Sequence, residues 1–268
     1  MVAPNGARRT KEDHPALPMT PQELAADAAA CLEAGAAALH LHARDAIGAH
    51  SLRPDDLSAA IDAVRARVGE DMVIQMTTEQ AGRYDTDQQI AAVQAVKPET
   101  VSVALREIVP DGTEESLQRA AEFFQWLREE RITPQFILYA PQEVARFVWL
   151  KGLGVIPYDH PFMLFVLGRD PQREGDPAEL LEVFVTALNV IEAEWMACTF
   201  ADAPAVIFKA AVLGGHVRVG FENTLTLADG TAAADNAQLV AEAADILRQA
   251  GRGLMDAGAA RALLASCG

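Results

Sequence analysis

The sequence predicts an α/β protein of the (β/α)8 TIM-barrel class, with residues 1–268 forming a single domain. Three observations carry that expectation. Eight strand-like segments recur along the chain, nearly all separated by helix-like segments, and such alternation implies a parallel sheet. The 268 residues match the length at which eight units close into a barrel rather than spread into an open sheet. No GxGxxG follows a strand and no GxxxxGK(S/T) occurs, so neither a dinucleotide fold nor a P-loop has direct support.

The elements follow in order. Met1-Val2-Ala3 is apolar before the turn Pro4-Asn5-Gly6, as the tail of a first strand would be. Thr20-Pro21-Gln22-Glu23 starts a helix with an N-cap, a proline at its first position and a capping-box glutamate; Gly35 stops it. Leu39 to His42 is the next strand, and Pro54 opens a helix to Val68. Met72 to Thr78 is a strand ending in hydroxyls, and Asp85 or Thr86 caps a helix to Val96. Thr100 to Leu105 is a strand ending in Arg106-Glu107, followed by a helix from Thr113 to Glu130. Strands at Pro134–Tyr139, Pro161–Leu167 and Trp195–Phe200 each lead into a helix, starting at Pro141, Asp176 and Ala203. His216 to Glu222 is the last strand, and a final helix covers Asp235 to Ala250 before a small C-terminal segment.

Composition excludes several classes. The formal net charge is −16, which opposes non-specific attachment to nucleic acid or anionic membranes while leaving room for a locally positive pocket. The three cysteines, Cys31, Cys198 and Cys267, are scattered, with no CxxC, so a reducing, cytoplasmic setting fits. Arg8, Arg9 and Lys11 precede no apolar stretch of signal-peptide type, and the run Phe162–Leu167 is far too short to span a bilayer.

The chemistry gathers around Leu39-His40-Leu41-His42-Ala43-Arg44-Asp45. On a helix the two histidines would diverge; on a strand, with its period of two, they share a face and the leucines occupy the other. Such a pair can supply two ligands to one metal ion. The competing reading is two hydrogen-bonded core histidines.

Barrel enzymes build their sites where the strands end. The polar residues there are Asn5, His40, His42, Thr77, Thr78, Arg106, Glu107, Tyr139, Arg169, Arg218, Glu222 and Asn223. On the last strand, His216, Arg218, Gly220 and Glu222 share one face by period two. Strands two and eight are alternate strands, so their inward side chains can meet in one layer. His40, His42 and Glu222 then form a two-histidine, one-carboxylate set with an open position, as catalytic zinc requires. The bland alternative for Glu222 is an ion pair with Arg218 or Arg44, and for Thr77 and Thr78 simple hydrogen bonds to backbone.

Taken together, Asn5-Gly6-Ala7-Arg8, His14-Pro15, Leu17-Pro18-x-Thr20, HLHARD at His40–Asp45 with its leading leucine, Pro98-Glu99, and Gly214-Gly215-His216-Val217-Arg218-Val219-Gly220-x-Glu222 resemble the β-keto acid cleavage enzymes. The type member of that family is 3-keto-5-aminohexanoate cleavage enzyme. The resemblance runs in order over nearly the whole chain. It implies a zinc-dependent barrel, or one using another divalent transition metal, assembled as a homotetramer. It also implies the reaction of a β-keto acid with acetyl-CoA to give acetoacetate and a new acyl-CoA through a retro-Claisen step. The family's metal ligands fall on His40, His42 and Glu222, and its catalytic arginine on Arg218. Asn5, Thr77, Thr78 and Arg106 are the substrate-binding candidates, with Asn5 and the threonines as hydrogen-bond donors to oxyanions. Other metal-dependent C–C lyases or hydrolases on the same barrel, and a non-catalytic metal- or acyl-CoA-binding relic, are the alternative readings.

Two positions depart from the family pattern. The aspartate expected after the metal-binding glutamate, paired there with the arginine to abstract a proton, is Asn223, and an amide is no base. Glu107 is the carboxylate expected to take over. The glutamate that meets the type substrate's ammonium group is Arg8 here, which shifts the expectation toward a β-keto acid with a neutral or anionic side chain.

Overall fold

The computed structural model describes residues 1–169 and 175–268. Seven parallel strands form one sheet in the order β1 (Ala38–Leu41), β4 (Val73–Met76), β5 (Thr100–Ala104), β6 (Thr133–Leu138), β7 (Phe162–Leu167), β8 (Glu194–Thr199) and β9 (His216–Val217). A short antiparallel hairpin, β2 (Ala43–Arg44) with β3 (His50–Ser51), stands beyond β1. The eighth stave is the chain start. Val2 bridges in parallel to both Leu39 and Val219. Its N–H donates to Ala38 O at 2.8 Å, its carbonyl accepts from His40 N at 2.7 Å, and Ala3 N donates to Val219 O at 2.7 Å. The apolar Met1–Ala3 is thus the expected first strand, reduced to the residues that close the barrel.

The helices fall where their caps announce them. α1 (Pro21–Glu33) carries the complete Thr20/Glu23 capping box, and α3 (Thr86–Val96) has one built from Asp85 and Gln88. α2 (Pro54–Val68), α5 (Glu114–Glu129) and α6 (Gln142–Gly152) cover the sheet, as do α7 (Pro177–Ala187), α8 (Ala203–Leu213) and α9 (Asn236–Gln249). Two helices escape the sequence reading. α4 (Leu105–Ile108) puts Arg106 and Glu107 on a helical turn rather than a strand end, and α10 (Ala257–Ser266) occupies the C-terminal segment. Among the described residues, no helix is long and apolar enough to cross a membrane.

Strand period two divides the core. Leu39, Leu41, Ile74, Met76, Val101, Val103, Phe136, Leu138, Met163 and Phe165 pack against the helix layer. The opposite face lines the barrel and is chemically lopsided. Phe162, Leu164, Val166, Met196 and Cys198 on β7 and β8 form an apolar cluster, whereas Gln75, Gln135 and His40 hydrogen-bond to one another. Side chains that form a polar chain inside a barrel must satisfy each other, because a lone one would carry a desolvation cost of about 1–3 kcal/mol. That polar half positions the site.

One expectation needs correction. The last strand does not continue to Glu222: β9 has two residues, and Phe221 to Asn223 form a turn. Gly220 ends it at φ +133°, a conformation an L side chain rarely adopts, and a Cβ there would collide with the Ala3 carbonyl oxygen. His216 therefore lies at the opposite barrel end, bordering a separate cavity with Arg252 and Leu264.

Candidate metal and substrate site

At the C-terminal end of the strands, a cavity of about 750 Å³ is bordered by Asn5, Arg8, His40, Thr77, Glu79, Glu107, Tyr139, Arg169, Arg218 and Glu222, among others. Its floor includes His40, with His42 beside it. His40 and His42 are both buried, with His40 Nε2 3.0 Å from His42 Nε2. Glu222 Oε2 lies 3.8 Å from the first nitrogen and 3.6 Å from the second. No other grouping of three such side chains arises among the described residues.

These atoms fit a divalent metal. Ligands about 2.0–2.2 Å from a tetrahedral ion sit roughly 3.3–3.5 Å apart, the middle of the observed spread. The tautomer fits too: His40 Nδ1 lies 2.8 Å from Gln75 Oε1, an acceptor only, so Nδ1 carries the proton and Nε2 offers a lone pair. Glu222 Oε2 is buried without a hydrogen-bond partner, while Oε1 accepts from Arg218 Nη2 at 3.3 Å. Burial and the Arg218 charge push the His40 pKa down to about 4; burial and His40 itself hold His42 well below its ordinary value. Both imidazoles are therefore neutral at pH 7, the form a metal needs.

The chain holds Glu222 by means other than strand pairing. Glu222 N donates to Ala3 O at 3.1 Å, and Phe221 N to Asn236 Oδ1 at 2.7 Å. Asn236, the first residue of α9, also donates to Pro4 O at 3.1 Å and so ties the turn to the eighth stave. Arg9 donates to the Phe221 carbonyl. Gly6, at φ +59°, leaves room for the carboxylate: a Cβ there would stand 2.6 Å from Glu222 Cγ.

The other sequence candidates divide. Arg218 is buried in the cavity wall with Nε and Nη1 unpartnered, a guanidinium poised for an anion. Thr77 Oγ accepts from Glu79 N at 3.0 Å and keeps its proton free, whereas Thr78 Oγ gives its proton to Ser102 O at 2.8 Å. Asn5 spends its amide protons on Pro18 O and His42 O, each at 3.0 Å, so it can accept from a ligand but not donate, contrary to the sequence expectation. Arg106 is exposed and stacks 3.5 Å over the Tyr139 ring instead of bordering the cavity. Asn223 is buried behind Arg218 in a crevice with Cys198 and Val206, away from the cavity.

Sequence reasoning missed four contributors. Gln75 orients His40, Asn236 anchors the Glu222 turn, and Arg44 donates to the carbonyls of Gly6 and Arg9 at 2.6 and 2.9 Å. Glu79 borders the cavity. A buried amide inside an otherwise apolar strand was the available signal for Gln75; for Glu79 it was a carboxylate two residues past a strand-end hydroxyl.

A model of the β-keto acid cleavage enzyme family matches residues 1–265 of this chain. The chain is 28% identical over 266 residues to the 3-keto-5-aminohexanoate cleavage enzyme of Fusobacterium nucleatum, covering 97% of this chain and 94% of that one. It is 26% identical over 270 residues to 3-oxoadipate:acetyl-CoA acetyltransferase of Cupriavidus necator, covering 98% and 93%. A solved ternary complex of ObcA with a C4-CoA adduct and oxalate shares the fold, with TM-score 0.73 and 17% identity over 93% of this chain and 67% of that one.

Proposed function

Because this chain belongs to the β-keto acid cleavage enzyme family, we propose that it transfers acetyl from acetyl-CoA to a β-keto acid and cleaves the product into acetoacetate and a new acyl-CoA. The observation that carries this reading is the convergence of His40, His42 and Glu222 under a cavity that also presents the free guanidinium edge of Arg218. The relatives' names add the co-substrate class, acetyl-CoA. Zinc, or another divalent transition metal, held by His40, His42 and Glu222 would supply Lewis acidity to a keto oxygen, several kcal/mol of charge stabilisation.

The protein's own groups supply the remainder. Arg218 binds the substrate carboxylate or a developing oxyanion through Nε and Nη1, since its Nη2 is engaged by Glu222 and Cys198. Thr77 donates its free hydroxyl proton to an oxygen above the floor. Arg8 and Arg169 place positive charge at the rim, which favours a β-keto acid with a neutral or anionic side chain. Tyr139, with the Arg106 and Arg169 guanidinium carbons 3.5 and 5.5 Å from its ring centre, lines the same cavity.

The test is a panel of β-keto acids incubated with acetyl-CoA, following acetoacetate and acyl-CoA. Turnover is expected for at least one member, with stoichiometric divalent metal in the purified protein. His40→Ala should lower it ~1,000-fold or more, the loss of several kcal/mol of transition-state stabilisation. Metal-free protein together with an unaffected His40→Ala variant would sink the reading.

A further inference from the structure

The proposed reaction needs a base for the carbon between the two carbonyls, and position 223 cannot provide one. Asn223 is an amide, and its side chain does not border the cavity. Among the described residues, three carboxylates do: Glu222, Glu107 and Glu79. Glu222 is engaged by Arg218 and the histidines. Glu107 Oε2 accepts from Gln80 N at 3.1 Å and from Gln89 Nε2 at 2.8 Å. Two N–H donors occupy that one oxygen and fix the carboxylate in place. Their effect is structural: Glu107 ties the loop after β4 to α3.

That loop carries Glu79. Resting on the function proposed above, we infer that Glu79 is the catalytic base, taking the proton from C2 of the β-keto acid and later returning it to the departing acetoacetate enolate. The backbone beneath Glu79 is fixed on three sides. Its N–H donates to Thr77 Oγ at 3.0 Å, its carbonyl pairs with His50 Nε2 at 2.7 Å, and Gln80 is latched by Glu107. The His50 ring stands 5.3 Å from that of His42, so Glu79 is one ring away from the cluster. Its carboxylate is 20% exposed and its ion-pair partner is Arg8, 3.7 Å away and itself 70% exposed. A contact that long, on a solvated arginine, does little to hold the proton off. Burial raises the Glu79 pKa, and the Glu222 charge raises it further, moving the group toward the working range of a general base.

The step balances without an outside reagent. The C2–H bond breaks, its proton forms an O–H bond on Glu79, and its electron pair becomes the enolate, with charge on the keto oxygen. After C–C cleavage the acetoacetate enolate takes the same proton back at C2, leaving Glu79 ionised for the next cycle. Among the described residues, the charged and titratable groups facing Glu79 are Arg8 from the N-terminal loop, Arg44 from β2, Glu107 from α4, Tyr139 after β6, Arg169 beyond β7, Glu222 from its turn and His50 from β3.

Acetoacetate is a product for every β-keto acid in the proposed reaction, so it serves as the probe. Exchange of its C2 protons for solvent deuterium, followed by NMR in the absence of acetyl-CoA and above background, reads the proton step alone. Glu79→Gln should slow enzyme-dependent exchange ~100- to 10,000-fold, while metal content and thermal midpoint stay near wild type. Glu79→Asp should retain part of the exchange and the acidic limb of its pH profile, which Glu79→Gln should lack. Glu107→Gln should retain exchange, with a raised KM from a loosened loop. Exchange at the wild-type rate in Glu79→Gln, or exchange lost in Glu107→Gln but not in Glu79→Gln, overturns the assignment. A wild-type protein that exchanges acetoacetate but turns over no β-keto acid leaves the base in place and refutes the transfer reaction.

Discussion

His40 and His42 enter the cluster from a strand, whereas Glu222 enters from a turn. The strand half is held by ladder bonds: His40 N pairs with Val2 O at 2.7 Å, and residues 38–41 run in register with 73–76. The turn half has no ladder. It depends on Gly220 and Gly6, on Asn236 and on Arg218. A strand fixes side-chain direction by its pleat, so a ligand pair two residues apart is written locally. A turn fixes direction through tertiary partners, and its ligand is only as well placed as they are. Both halves meet on the eighth stave, since residues 2 and 3 bond to β1 on one side and to Val219 and Glu222 on the other.

The largest break of this comparison is at Gly220. Alanine there would force a side chain into the +133° region and against the Ala3 carbonyl. Backbone strain and overpacking each cost about 1–3 kcal/mol, so Gly220→Ala should lose about 4 kcal/mol of stability in urea unfolding. Metal affinity should fall with it as Glu222 is displaced, although both histidines are untouched. An unchanged unfolding midpoint would mean that the turn half does not need the stave.

This asymmetry also governs what could be read in the sequence. The strand half was legible because two histidines on alternate positions declare a common face. Glu222 was reached by assuming that the same period extended from His216, and Gly220 breaks that period. The conclusion survived because the turn returns the carboxylate to the barrel mouth. The barrel was legible from caps such as Thr20/Glu23 and Asp85/Gln88, which act within four residues. The roles of Gln75, Asn236 and Glu79 were not, because each depends on residues 15 or more positions distant in the chain. Arg106 was misplaced by treating a helical turn as the end of a strand.

Proton titration sharpens the strand half next. The ordinary histidine pKa of 6.5 falls to about 4 for His40, chiefly through burial. Because the folded value is depressed, the unfolded chain takes up the proton first as pH falls. The stability is fully present above about pH 6.5 and is lost as pH falls through about 4. For metal-free protein the loss attributable to His40 is ~3 kcal/mol, at about 1.4 kcal/mol per pH unit. Urea unfolding of wild type and His40→Gln across that window checks it, and equal slopes for the two would remove His40 as the source.

Gln75 offers the finest separation of the two halves. Its Oε1 accepts from His40 Nδ1 at 2.8 Å, and its Nε2 donates to Gln135 Oε1 at 3.2 Å, so it holds one histidine ring and touches nothing of the Glu222 turn. Gln75→Leu keeps the size and apolar fit but removes the acceptor, freeing the His40 ring to take the wrong tautomer. Loss of such an outer hydrogen bond lowers metal affinity about 10- to 100-fold. Gln75→Glu restores an acceptor and should recover affinity for zinc, because a carboxylate raises the basicity of the ring it holds. Competition titration with a chelator reads both variants without recourse to activity. Equal affinities in wild type and Gln75→Leu would show that the strand alone orients His40, and the difference between strand and turn would then be wider than the hydrogen bonds suggest.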